Sequence, residues 1–237
     1  MRMKQSKCLS TTIALLTILV LQIRFVQLVN AQEGEVTLNP TDDTFTSSYM
    51  PDSNYGEYVS LEITRFEFTK TVFERLAWMK FSLSEVPDGA VVDVATLELY
   101  CQKTSETYDV YAHSCSDNSW TQLSLTYTNS PRFNATPMDS TTISADYQWY
   151  SWNVVDGVRK GLNGIHGGSD LVTLVLQETT NRGIWSEVEF YSNEQSTNQP
   201  KLTIHWTHIV PEFSFYLVLP LFLIATLLIV IIYRRAG

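Results

Sequence analysis

Apolar residues recur at every second position along much of the stretch from 32 to 210, and that period buries its oily side as β-sheet rather than helix. In Ala95-Thr-Leu97-Glu-Leu99-Tyr-Cys101 the small and apolar residues face one way, while Thr96, Glu98 and Tyr100 face the other. Ala77-Trp-Met79-Lys-Phe81-Ser-Leu83 alternates likewise, which sends Trp78, Lys80 and Ser82 outward. Val59, Leu61 and Ile63 form a third such face, Val172, Leu174 and Leu176 a fourth, and Leu202, Ile204 and Trp206 a last one. Shorter strands are predicted near 36–38, 44–48, 109–113, 124–128, 148–154 and 188–192. Turn residues separate the runs at Pro51-Asp-Ser-Asn-Tyr-Gly56, Pro87-Asp-Gly89 and Gly164 to Gly168. The only helical candidate, Asp156 to Leu162, is broken by Gly157 and Gly161. The expected fold is all-β, a jelly-roll-like β-sandwich.

Both ends differ from this middle. Arg2, Lys4 and Lys7 precede an apolar run from Thr12 to Leu21 and a Val29-Asn30-Ala31 site, the layout of a secretory signal peptide over 1–31. An uncleaved signal anchor is the alternative. From Phe215 to Tyr233 the chain carries no charged residue, and Arg234-Arg235 follow. A helix of that length, at about 1.5 Å per residue, spans roughly a hydrocarbon core, so one C-terminal transmembrane helix is expected within 211–237. The terminal arginines favour a cytoplasmic C-terminus.

Between these ends, 32–210 is expected to fold as one domain. Six of the 16 Lys and Arg lie in the terminal segments, whereas all 25 Asp and Glu lie outside the signal region. The acidic balance that remains repels nucleic acid and anionic lipid, and no nucleic-acid partner is expected. Cys8 leaves with the signal, so Cys101 and Cys115 are the thiols of the exported part; their spacing around a predicted hairpin leaves a disulfide between them open. Asn134-Ala135-Thr136 is a glycosylation sequon in a Pro-bounded stretch expected to be a surface loop.

The usual catalytic constellations are missing from the sequence. Histidines 113, 166, 205 and 208 do not make the spacing of a zinc protease, and there is no Gly-x-Ser-x-Gly elbow. Gly164-Ile-His-Gly-Gly-Ser lacks the Lys-Ser/Thr ending of a phosphate loop. A glycosidase needs only two carboxylates at a fixed separation, which sequence cannot measure, so a polysaccharide-cleaving enzyme stays as a minor reading. Asp52-Ser-Asn54-Tyr-Gly56 reads as a turn capping its own backbone rather than as a calcium loop. Asp42 and Asp43 are candidates for a structural calcium site; no other cofactor is expected.

Several blocks resemble the DNRLRE-type, disaggregatase-related family of carbohydrate-binding modules (family 96). They are Asp43-Thr-Phe-Thr-Ser-Ser with Pro51-Asp-Ser-Asn-Tyr-Gly56 and Tyr58-Val-Ser-Leu61, then Glu74 to Leu83, Ala90 to Tyr100, and Asp117-Asn-Ser-Trp120 with Thr126-Tyr-Thr-Asn129. Trp149-Tyr-Ser-Trp152-Asn-Val154, Phe190-Tyr-Ser-Asn-Glu194 and Pro200-Lys-Leu-Thr-Ile204 follow in the family's order. Tyr127 stands where that family usually has Trp, and Asn153 where it usually has Asp. The resemblance implies a jelly-roll sandwich and glycan binding, often as an accessory module. The tail is similar to an archaeal PEF-CTERM sorting signal: Pro211, Glu212 and Phe213 stand immediately before the apolar span, with Arg234 and Arg235 after it. That likeness implies processing by a sorting protease and exchange for a lipid anchor; an ordinary transmembrane anchor is the alternative.

A sugar-binding face needs an aromatic ring to stack on a pyranose and polar groups for its hydroxyls. The outward faces offer Trp78 and Lys80 on one strand and Tyr100 on another. A short hairpin is expected to set Tyr100 opposite Asp109 or Tyr111. Trp78, Tyr100 and Tyr111 are therefore the predicted platform, with Lys80 contacting an acidic or hydroxyl-rich glycan, unless loops cover that face. Trp120, Trp149 and Trp152 are expected in the core. The predicted function is non-catalytic binding of a polysaccharide or surface glycan by a membrane-tethered extracellular module. A structural or adhesion protein without glycan binding is the alternative.

Overall fold

The alternating runs become strands. A computed structural model describes residues 30–162, 169–181 and 186–210, together with Leu223, Ile224, Leu227 and Ile231. Among them are β1 (Asn30–Leu38), β2 (Asp42–Ser47), β3 (Ser60–Phe68), β4 (Thr71–Ser82), β5 (Val91–Thr104) and β6 (Tyr108–Cys115). Next come β7 (Asp139–Ile143), β8 (Gln148–Asn153), helix α1 (Val155–Gly161), β9 (Leu171–Glu178), β10 (Val188–Tyr191) and β11 (Lys201–Val210). The fold is all-β with one short helix, as expected. The predicted strand near 124–128 is instead a series of turns, and β7 was not predicted.

The strands make two antiparallel layers that share β3. One layer places β5 between β8 on one side and β11 with β10 on the other; β10 also pairs Ser60–Ile63 of β3. In the second layer β4 lies between β2 and β9, and β9 continues through β6 to β7. Thr64–Phe68 of β3 pair with β4, so β3 passes from one layer to the other halfway along its length. The result is a curled sheet compatible with a β-sandwich. The β3–β4 hairpin turns on Thr69 and Lys70, both at positive φ (48° and 68°), the handedness a two-residue hairpin loop requires.

The inner faces form the main core. Leu97, Leu99 and Cys101 of β5 meet Met79 and Phe81 of β4, Val110 of β6 and Leu174 of β9, all fully buried. Each fully buried aliphatic or aromatic side chain contributes about 1.5–3 kcal/mol. Trp152 of β8 spans the gap, its indole N–H donating to the Val110 carbonyl of the opposite layer at 2.8 Å. Trp152 and Trp120 are buried, as expected.

One expectation is corrected, and the question left open for the two cysteines is answered. No β5–β6 hairpin exists: β5 pairs with β8, β10 and β11, whereas β6 pairs with β7 and β9 in the other layer. The short connection at residues 105–107 is an arch between layers, and an arch presents the same alternation as a hairpin. Cys101 and Cys115 are both free and buried, one in the main core and the other on the far side of its sheet. Burial pushes the Cys101 thiol up to about 12 and raises that of Cys115.

Residues Glu33–His208 form one compact unit. Of the predicted signal peptide, residues 1–29 lie outside the described residues, as do Pro211, Glu212, Phe213, Arg234 and Arg235 and most of the predicted anchor. Leu223, Ile224, Leu227 and Ile231 are helical and exposed. Among the described residues no helix is long and apolar enough to cross a membrane.

Candidate functional site

The two outer faces of the sandwich carry the residues singled out by the alternation, and they have different fates. On β4, Leu76, Trp78 and Lys80 point away from the main core. The segment between β6 and β7 folds over them. Trp120, Leu125 and Phe133 descend onto Trp78, Cys115 and Val175 and make a second apolar cluster. Trp78 is fully buried, edge-on to Trp120 (6.3 Å, 72°) and to Phe133 (5.9 Å, 79°), with its N–H donated to Thr46 Oγ1 at 3.1 Å. Trp120 donates its own indole N–H to Thr173 Oγ1 at 3.0 Å.

Lys80 is buried beneath the same cover. Its ammonium lies 2.9 Å from Asp42 Oδ2, donates to the Trp120 carbonyl, and sits 4.9 Å from the Trp120 ring centroid. A turn pins the cover at its edge: Asn54 donates through Nδ2 to the Gln122 and Leu125 carbonyls at 2.6 and 2.7 Å. Its Oδ1 accepts the Gly56 N–H at 3.2 Å, so the Asp52–Gly56 run caps its own backbone as expected. Gly56 itself is required by close approach, since a Cβ there would lie 2.1 Å from the Gln122 carbonyl oxygen.

The platform expected from the alternation does not assemble. Trp78 and Lys80 are under the cover, where no sugar reaches them. Tyr111 is half-buried on β6, paired with Ser140 and Gln177 in the layer opposite Tyr100. Tyr100 alone keeps its expected place, on the outer face of the β5 layer, and there it finds other partners.

That face is open. Tyr100 stacks on Tyr191 of β10 (5.6 Å between centroids, 23° between planes) and stands edge-on to Trp149 of β8 (5.5 Å, 72°). Tyr100 and Trp149 are register partners, and Trp149 is 37% exposed. Lys201 of β11 lies 4.3 Å over the Trp149 ring and 3.4 Å from Glu98. Further along, Lys103 bonds Glu189 at 2.7 Å, and Glu189 lies opposite Glu62 of β3. Burial is the largest influence on Glu62 and raises its pKa; Arg75 acts against it. Rings, ammonium groups and carboxylates thus share one surface, the chemistry that stacks on a pyranose and bonds its hydroxyls.

Trp149, expected in the core, lies instead on the outer face, and Tyr191 and Lys201 were not singled out by the sequence, although for Trp149 one signal was available. In Gln148-Trp-Tyr-Ser-Trp-Asn153 the two tryptophans are three apart, so a regular strand cannot send both to one face. Trp152 occupies the core, which leaves Trp149 outside.

Other expected positions can be placed. Asn134 is exposed in a loop, with its Oδ1 accepting the Thr136 N–H at 3.2 Å. Asp42 and Asp43 do not form one site, because adjacent strand residues point to opposite faces. Asp42 pairs with Met79's neighbour Lys80, whereas Asp43 is buried on the other side with its Oδ2 accepting the Asn193 N–H at 2.8 Å. Among the described residues no three His, Cys, Asp or Glu side chains gather around a common point that could hold a metal. A cleft of about 360 Å³ beside Ser114, Asn118 and Lys160 has no aromatic lining among the described residues.

A two-layer β fold with aromatic rings on an outer sheet face is compatible with a sugar-binding module. The profile of carbohydrate-binding module family 96 matches residues 34–206, and the chain belongs to that family. It is also 25% identical over 174 residues to a gellan lyase from Bacillus sp., a match covering 71% of this chain and 7% of that enzyme.

Proposed function

We propose that this chain binds a polysaccharide without cleaving it, by laying sugar rings on Tyr100, Tyr191 and Trp149 at the outer face of the β5 layer. The observation that carries this reading is the contrast in cover: Trp149 is exposed and Tyr100 and Tyr191 stay half-buried beside it, whereas Trp78 and Trp120 on the other layer are buried. Lys201, Glu98, Lys103 and Glu189 surround the rings and offer donors and acceptors to hydroxyls or carboxylates. Membership of a carbohydrate-binding family supports the substrate class. The small share of the gellan lyase that the chain spans supports an accessory rather than a catalytic role, and gellan is the first ligand to test.

The domain is proposed to work outside the cell, held at the membrane by its apolar tail or by a lipid that replaces it after sorting. The signal-like start, the uncharged span after Pro211-Glu212-Phe213 and the closing Arg234-Arg235 support this placement. Mass measurement of the native C-terminus distinguishes a retained helix from lipid exchange.

Affinity electrophoresis of the detergent-solubilised full chain through a panel of neutral and acidic polysaccharides tests the binding reading. Trp149→Ala is expected to weaken retention at least about tenfold, the loss typical of a central aromatic contact. Its melting temperature should stay within about 2 °C, as for other surface substitutions. Retention equal to wild type in the folded variant removes this face from consideration, and release of reducing or unsaturated ends would replace binding by catalysis.

A further inference from the structure

Asp43 is 1% exposed, yet its Oδ1 has no hydrogen-bond partner among the described residues; neither does the inaccessible Oε2 atom of the half-buried Glu194. The two carboxyl groups interact directly, and the charges acting on Asp43 come from Glu194 and Asp42, both acidic. Lys80, the basic group of this region, is committed to Asp42 at 2.9 Å. Gln122 of the covering loop ties the pair together: its Nε2 donates to Glu194 Oε1 at 3.0 Å and to the Gly56 carbonyl at 3.1 Å, and its Oε1 accepts the Asp43 N–H at 3.4 Å. A fully buried carboxyl with an unpaired oxygen, set beside a second, half-buried acid, carries a cost that folding does not leave unanswered.

We propose that Asp43 and Glu194 bind one hard divalent cation of the calcium class, its remaining ligands coming from amide and backbone oxygens and water. Calcium takes six to eight oxygens and accepts carboxylates, amide oxygens, carbonyls and water together, so two acids suffice in an oxygen-rich setting. The cation would cross-link three segments distant in sequence: β2, the loop over Trp78 and the turn after β10. The site lies apart from the Tyr100–Trp149 face, so its failure would leave the glycan reading intact.

Without a cation, burial and the neighbouring Glu194 push the Asp43 carboxyl up to about 8. The folded protein then keeps a proton that the unfolded chain releases above about 4, so stability contributed by that proton falls as pH rises from about 4 to about 8. The groups that face Asp43 in this titration are Glu194 and Asp42, with Lys80 behind Asp42.

The test is thermal melting of the chelator-treated full chain in calcium chloride, beside isothermal titration with the same salt. One calcium per chain is expected, with the melting temperature rising by about 5–10 °C when calcium is a hundredfold above its dissociation constant. Asp43→Asn and Glu194→Gln should each abolish the rise, and Glu85→Gln, at an exposed acid, should preserve it. No calcium uptake by wild type overturns the proposal, as does an undiminished rise in Asp43→Asn. If calcium has no effect while melting falls with pH in wild type and is flat in Asp43→Asn, the pair shares a proton instead and the cation site is refuted. Should either variant not fold, the titration of wild type decides alone.

Discussion

β4 and β5 carry nearly the same message in sequence and end in opposite surroundings. Each alternates apolar with polar or aromatic residues, and each presents a large ring on its non-core side: Trp78 on β4, Tyr100 on β5. Trp78 is sealed beneath Trp120, Leu125 and Phe133. Tyr100 lies among Trp149, Tyr191, Lys201 and Glu98 on an open face. Alternation therefore identifies which side of a strand meets the main core. What lies over the other side depends on a loop some forty residues away.

Four substitutions sharpen that contrast, beginning with the largest effect. Trp78→Ala should open a cavity in the second cluster and cost about 3–5 kcal/mol, the range for a buried tryptophan. A folded, fully stable Trp78→Ala would mean that the cover does not pack as described; denaturant unfolding measures it. Lys80→Ala strands Asp42 beneath the same loop, and removing one partner of a buried pair costs about 3 kcal/mol or more. It should also weaken protection of the 116–135 amides in hydrogen exchange, a change absent if Lys80 were a surface residue.

On the open face the effects move from folding to binding. Tyr191→Ala removes the ring stacked on Tyr100 and should lower polysaccharide retention about fivefold to tenfold, with stability lost only in the last kcal/mol. Lys201→Ala should do least, below about 1 kcal/mol, because its contacts with Trp149 and Glu98 are partly solvated. Its effect should shrink as salt is raised; a salt-independent loss would mean that Lys201 acts by packing rather than charge.

Much of the fold could be read from residue order. Met79, Phe81, Leu97 and Leu99 belong to the core as their spacing requires, and Asp52–Gly56 caps itself as its composition predicts. The strand partners could not be read the same way. A three-residue link between β5 and β6 suits a hairpin and an arch equally, and that ambiguity misplaced Tyr111 opposite Tyr100. Trp149 was more legible than it first looked, since its offset from Trp152 excludes a shared face. Asp43 and Glu194 were invisible as a pair, being brought together only when β2 and the turn after β10 meet.

The order of residues by itself determined that the middle of this chain is β-structure, which side of each strand is oily, and where the turns fall, because period and turn chemistry act over neighbours along the chain. The tertiary structure alone decided which outward face stays open, which thiols remain apart and which two acids share a buried site. Those outcomes depend on loops and layers meeting across scores of residues, and no local pattern encodes that distance.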